Sequence, residues 1–305
     1  MVRTEEQPVV SRYRPPFRVD PLLTLGALRQ GLLDPQIRLE ARSLLRATWT
    51  PAGPASTRLT FAAGEVFIEA WGSGADAAIE ELPALLGAHD DPSHLVPRHA
   101  LVADLARRLG GMRMARTGKV LETLVPTVIG QKVTGLEAWR SHRALLYRFG
   151  EPAPGPLRLR LPPRPLVLAG QPYHAFHALG LERRRADVIR EVAGLARALE
   201  GLTALSPVAA RERLTTAAGV GPWTAAETMR VALGDPDALS VGDYNLPDLV
   251  CWALAGERRG TDAWMLELLE PYAGQRARVV RLLELGGVSP PRHGPRLQAR
   301  SIRRI

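Results

Sequence analysis

The 305-residue chain carries a single cysteine, Cys251. That excludes an internal disulfide and any iron–sulfur cluster held by four cysteines. Lysine is nearly missing too: Lys119 and Lys132 are the only two, and the rest of the 40 basic residues are arginines. Chemistry that needs a lysine nucleophile has just those two positions to draw on. Aromatic residues make up 5% of the chain, so each tryptophan or tyrosine beside a motif is informative. No apolar run is long enough to cross a bilayer, and the N-terminal residues form no secretion-type apolar segment. A cytoplasmic protein with no membrane partner is therefore the expectation. His174 and His177 have a spacing found in metal sites, but no third ligand lies nearby in the sequence; they read as ordinary helix residues, and no metal is expected.

What is present is a chain of 46% hydrophobic residues, long enough for two or three domains with proper cores. Its net charge of +9 points to a polyanionic partner. Much of that charge falls at the end, where Arg276, Arg278, Arg281, Arg292, Arg296, Arg300, Arg303 and Arg304 face only Glu284. Such a segment is expected against phosphates, with binding that falls as salt rises; the alternatives are a solvated basic tail or an anchor for the protein's own acids.

Residues 1–20 are polar and proline-rich and read as a loosely held arm. Residues 44–49, 57–61 and 66–71 alternate like short strands, with turns at Pro51-Ala52-Gly53-Pro54 and Ala63-Gly64. A helix over 75–86 completes a small N-terminal α+β domain with an antiparallel sheet, residues 1–95. Asp90-Asp91-Pro92 breaks the pattern, and helical periodicity dominates residues 96–287. The stretch 151–165 holds six prolines and reads as a loop between helices. Residues 288–305 form a basic tail.

The strongest motif is Ala218-Gly219-Val220-Gly221-Pro222-Trp223-Thr224-Ala225. Two glycines flanking Val220 allow a tight turn whose backbone N–H groups point outward. Pro222 suits the first turn of a following helix, where its missing N–H is no loss. Upstream, Ser206-Pro207 reads as the cap and first residue of another helix. The unit is helix, glycine hairpin, helix, and its second helix start is a natural phosphate seat. Asp243 follows Trp223 by twenty positions, in Val241-Gly242-Asp243-Tyr244. It can simply cap a helix through Leu249, Val250 and Trp252. Capping would also immobilise the carboxylate, and a fixed anion serves wherever positive charge develops in a transition state.

The run from Leu214 to Ala226, the twenty-residue spacing and Gly242-Asp243-Tyr244 resemble the helix-hairpin-helix DNA glycosylase superfamily, and within it the bacterial 3-methyladenine DNA glycosylase II family. Ile129-Gly130-Gln131-Lys132-Val133-Thr134 resembles its lesion-insertion loop. Leu179-Gly180-Leu181 with Arg183-Arg184-Arg185-Ala186 resembles the next helix junction, and Pro271-Tyr272 a pocket-wall segment. The matches run from about Val120 to Leu285, and the first hundred residues match more weakly.

That resemblance implies a mostly α protein, with an all-α helix-hairpin-helix core in two subdomains, a cleft between them and a small N-terminal α+β domain. It implies a bacterial base-excision repair enzyme, a monomer working without a cofactor on double-stranded DNA at the nucleoid. Asp243 would be the catalytic carboxylate. Gly219, Val220, Gly221 and Thr224 would hold the DNA backbone. Lys132 would stand at the wedge position, where an apolar residue is usual. Trp223, Tyr272, Gln131 and Glu227 would belong to the substrate pocket. Glu227, one turn after Trp223, departs from the family, which can place an aromatic residue there; whether it faces the pocket stays open. Trp139 reads as helix packing. In members that also cut the strand, the Trp223 position is an attacking lysine, so the expected enzyme is monofunctional and leaves an abasic site. Its expected substrates are alkylated purines of the 3-methyladenine and 7-methylguanine type. A glycosylase for a deaminated or oxidised base stays open, as does a non-catalytic DNA-binding protein.

Overall fold

The computed structural model describes residues 7–291. Its N-terminal part is one antiparallel sheet built from β1 (Val9–Tyr13), β2 (Ile37–Glu40), β3 (Ser43–Thr50), β4 (Gly53–Ala62) and β5 (Glu65–Trp71), in the order β1-β5-β4-β3-β2. The β3–β4–β5 meander follows the alternation read from the sequence. The β4–β5 turn, Ala63-Gly64, has φ of 50° and 79° at its two residues, the left-handed pair that matches strand twist in a two-residue hairpin. Strands β1 and β2 went unread. Residues 7–20 are not a loose arm throughout, because Val9–Tyr13 pairs along β5, with Val10 opposite Glu69. The helix expected over 75–86 is two short ones, Ala75–Glu80 and Leu82–Leu85, the second with Pro83 in its first turn.

Leu44, Leu59, Val66 and Ile68 of the sheet pack on Leu25, Leu28, Leu82 and Leu86 to form its core. The proline-rich segment does more than join helices. Leu157, Leu159 and Leu161 pack with Trp71 and Ala47, the Trp49 indole N–H donates to the Pro162 carbonyl at 2.8 Å, and the Ser56 hydroxyl to that of Pro154 at 2.6 Å. This segment straps the sheet to the helices.

The helical part has two cores. One is built by helices Val120–Ile129, Arg183–Gly194, Pro207–Leu214 and Pro222–Ala232. The other is built by helices Ala100–Arg108, Leu246–Ala255, Asp262–Leu269 and Arg276–Leu285. The chain passes from the second core into the first and back again after Ala232, so the Pro222–Ala232 helix borders both. Its Ala225, Met229 and Ala232 face the first core. Trp223, Glu227 and Arg230, at helical spacing on the opposite side, turn toward the second.

The end of the chain corrects a charge reading. Arg278 is fully buried and ion-paired with buried Asp90, and Arg276 pairs with Asp237. Arg281 pairs with Glu284. These three arginines anchor the protein's own acids, because the Arg276–Leu285 helix buries most of its faces. Arg292, Arg296, Arg300, Arg303 and Arg304 lie outside the described residues.

Sheet and helices are welded by a buried polar cluster. Glu122 accepts from Gln36 Nε2 at 2.9 Å, Arg46 Nη2 at 2.9 Å and the Thr48 hydroxyl at 2.6 Å. Buried His142 stands by, its Nδ1 without a hydrogen bond among the described residues. Burial lowers the His142 pKa, while the charges of Asp34 and Glu122 pull the other way. The folded chain therefore refuses a proton that the unfolded chain accepts near pH ~6.5. Stability is expected to fall as pH drops through that value, at up to about 1.4 kcal/mol per pH unit. Urea melts between about pH 5.5 and 7.5 test this; His142→Gln should flatten the slope, and an unchanged slope would refute it.

Candidate active site

The hairpin forms as its sequence dictates. The Ser206 hydroxyl accepts from Ala209 N at 3.3 Å and Pro207 opens the first helix; Pro222 opens the second. Gly219 sits at φ +78°, and a Cβ there would meet Val188 Cγ2 at 2.2 Å, so glycine is required twice over. Gly221 is different. Its φ of −90° suits any residue, and a Cβ would meet nothing within 4 Å. The space beside it is open. Val220 is 4% exposed and belongs to the first core, so its side chain anchors the turn and only its backbone is available outside.

Two expected contacts are internal instead. Gln131 is engaged within the protein: its Nε2 donates to the Gly219 carbonyl at 3.0 Å and to the Thr224 hydroxyl at 2.9 Å. Thr224 is 2% exposed and its hydroxyl accepts that bond. Together they clamp the loop after Ile129 onto the hairpin. Arg185 fixes the same loop from behind, donating to the Ile129 carbonyl at 2.7 Å. The Thr134–Glu137 capping box closes its far end. Between these anchors stands Lys132, exposed and at φ +54°, a conformation rare for a residue with a side chain. Trp139 packs on the Gly31 turn while its ring stays 44% exposed.

Asp243 is half-buried and held through both oxygens. Oδ1 accepts from Asn245 N at 2.8 Å and Leu246 N at 3.0 Å, the start of the Leu246–Ala255 helix. Oδ2 accepts from the Trp223 indole N–H at 2.9 Å. Trp223 thus positions the carboxylate, a role its place in the sequence did not disclose. Beyond it, the ring reaches Gly130, where a Cβ would lie 3.9 Å from Cη2.

Asp243 lines a cavity of about 250 Å³ between the Pro222–Ala232, Leu246–Ala255 and Arg276–Leu285 helices. Glu227, whose direction the sequence left open, faces into it. Its carboxylate accepts from the Ser240 hydroxyl at 2.5 Å and from Arg230 Nη2 at 2.7 Å. Burial pushes its pKa up, but Arg230, Ser240 and Arg281 outweigh that and leave it below the usual carboxylate value. Glu227 in turn raises the Arg230 pKa, the largest influence on it. Arg281 and Glu284 complete the charged lining, and no aromatic side chain lines this cavity. Tyr272, expected in the pocket wall, is 3% exposed in the second core. Its hydroxyl lies 3.1 Å from the amides of Arg98 and His99 and 2.7 Å from His99 Nδ1, so it secures the start of the Ala100–Arg108 helix. No cluster of histidine, cysteine and acids able to hold a metal exists among the described residues.

No protein-family model and no curated protein matches this sequence. Solved structures do match its fold. A 3-methyladenine DNA glycosylase from Archaeoglobus fulgidus superposes with a TM-score of 0.75 at 20% identity, over 90% of this chain and 97% of that one. The 8-oxoguanine glycosylase/lyase of Clostridium acetobutylicum, bound to double-stranded DNA with cytosine opposite 8-oxoguanine, gives 0.69 at 14% identity over 93% and 96%. A Schizosaccharomyces pombe 3-methyladenine DNA glycosylase with abasic DNA gives 0.53 at 19% over 64% and 96%.

The two hairpin glycines should separate under substitution. Gly219→Ala is expected to destabilise the fold through Val188 and the left-handed backbone. Gly221→Ala should leave stability unchanged or raise it by about 0.4–1 kcal/mol. Thermal melts of both variants check this, and equal destabilisation by the two would refute it. With its sheet, its two helical cores and this hairpin, the chain has the fold of the helix-hairpin-helix DNA glycosylases.

Proposed function

We propose that the protein is a monofunctional DNA glycosylase that releases alkylated purines from double-stranded DNA, acting as a monomer. One observation carries this reading: Asp243 is locked by Trp223 and two backbone amides while it lines a cavity sized for one heterocycle, one wall of which is the hairpin's second helix. That volume lies just under the ~300 Å³ lower bound of small-ligand sites. Fold neighbours named for 3-methyladenine and for 8-oxoguanine support the reaction class.

The steps follow from the residues. Amides around Gly219 and Gly221 hold the strand while the target nucleotide leaves the stack, at a cost of a few kcal/mol. Lys132, on its clamped loop, fills the gap with its four-carbon stem and keeps its ammonium at the phosphates. As the N-glycosidic bond lengthens, the sugar gains oxocarbenium character and the electron pair leaves with the base. Asp243 stabilises that charge and orients the water that adds to the sugar. An alkylated purine already carries positive charge, so its departure needs no strong general acid.

Asp243→Asn should leave duplex binding nearly intact and lower excision by about 10²–10³-fold. Base release from methylated DNA and a parallel binding titration measure this; equal excision by variant and parent would sink the assignment. Trp223 cannot form a Schiff base, Lys119 is engaged with Glu81, and Lys132 stands on the loop after Ile129, outside the hairpin position where an attacking lysine would sit. Borohydride is accordingly expected to trap no covalent adduct with abasic DNA, and a trapped adduct would overturn the monofunctional reading.

A further inference from the structure

We infer that the cavity selects a guanine-derived base, a 2-amino-6-oxopurine, over an adenine-derived one, by hydrogen bonds to Glu227 and Arg281. This rests on the glycosylase reading above. The cavity has no aromatic wall on which a base could stack, so discrimination falls to charge and hydrogen bonding.

The two groups offer opposite chemistry from separate helices. Glu227 is an acceptor fixed by Ser240 and Arg230, which line the same cavity, and each carboxylate oxygen has a second lone pair to give. Arg281 is a donor fork. It spends Nη1 on Glu284 at 3.2 Å, and its remaining N–H groups take no protein acceptor among the described residues. Its Nη2 lies beside Gly26, 3.6 Å from where a Cβ would stand. A guanine edge presents N1–H and N2–H₂ as donors and O6 as acceptor. The donors suit Glu227 and the acceptor suits Arg281. An adenine edge reverses both: its 6-amino group meets the guanidinium, N1 meets the carboxylate, and two buried charges lose their solvation without repayment.

Charge balance points the same way within alkylated bases. Asp243, Glu227 and Glu284 set three carboxylates against the guanidiniums of Arg230 and Arg281. The single surplus negative charge favours a cationic ring such as 7-methylguanine over unmodified guanine.

Duplex DNA treated with a methylating agent contains both 7-methylguanine and 3-methyladenine, so one digest tests the preference. Released bases are separated by chromatography, and each rate is divided by that base's spontaneous loss. The expected wild-type result is a kcat/KM for 7-methylguanine at least about tenfold above that for 3-methyladenine, the scale of one good paired contact. Glu227→Gln and Arg281→Gln should each lower that ratio about tenfold while 3-methyladenine release persists. A wild-type preference for 3-methyladenine, or a ratio unchanged in both variants, overturns this inference and leaves the glycosylase reading standing. Release of neither base, nor of 8-oxoguanine from a single-lesion duplex, overturns the glycosylase reading and this inference with it. The wild-type ratio decides the matter even where a variant fails to fold.

Discussion

The bond between the Trp223 indole and Asp243 ties the two halves of the helical region together at the point where chemistry would occur. Trp223 begins a helix whose apolar face packs into the first core, and Asp243 leads into a helix of the second. A hydrogen bond to a charged group contributes about 1.5–3 kcal/mol. Its larger consequence is geometric. With both carboxylate oxygens engaged, the acid cannot swing, so the cavity behind it and the hairpin beside it keep a fixed relation. Gln131 repeats the device one step away, tying Lys132's loop to the same hairpin.

The abundance of arginine has an internal explanation as much as an external one. Arg46, Arg185 and Arg278 are buried and join separate elements, sheet to helix, helix to helix end and N-terminal segment to last helix, while Arg230 pairs with Glu227 of its own helix. The planar fork keeps several donors aligned at once and stays charged when desolvated, which an ammonium does not. Each of these arginines is paired with an acid, so the net charge of +9 is carried by the other residues.

Legibility tracked the range of the interactions. The β3–β5 meander, the capped hairpin helices and Asp243's cap depend on residues within a turn or a strand of one another, and their signals lay in the local pattern. Strand β1 depends on β5, more than fifty residues away, and a five-residue stretch next to prolines gave no signal of that pairing. Tyr272 and Thr224 belong to segments that resemble a pocket wall and a DNA-holding hairpin, yet each hydroxyl has its partner inside the protein. The arginines of the last helix read as a basic patch because their acids, Asp90 and Asp237, lie far back in the chain.

The sequence by itself determined the hairpin, since Gly219's left-handed backbone and the Ser206 and Pro222 starts are local requirements. It also set the absence of lysine at position 223 and the placing of Asp243 at a helix start. Only the tertiary structure decided that Trp223 would hold Asp243, that Glu227 would face inward to meet Ser240, and that Arg281 would line the same cavity. Each of those depends on which faces of distant helices meet, and that follows from packing the two apolar cores around the chain that crosses between them.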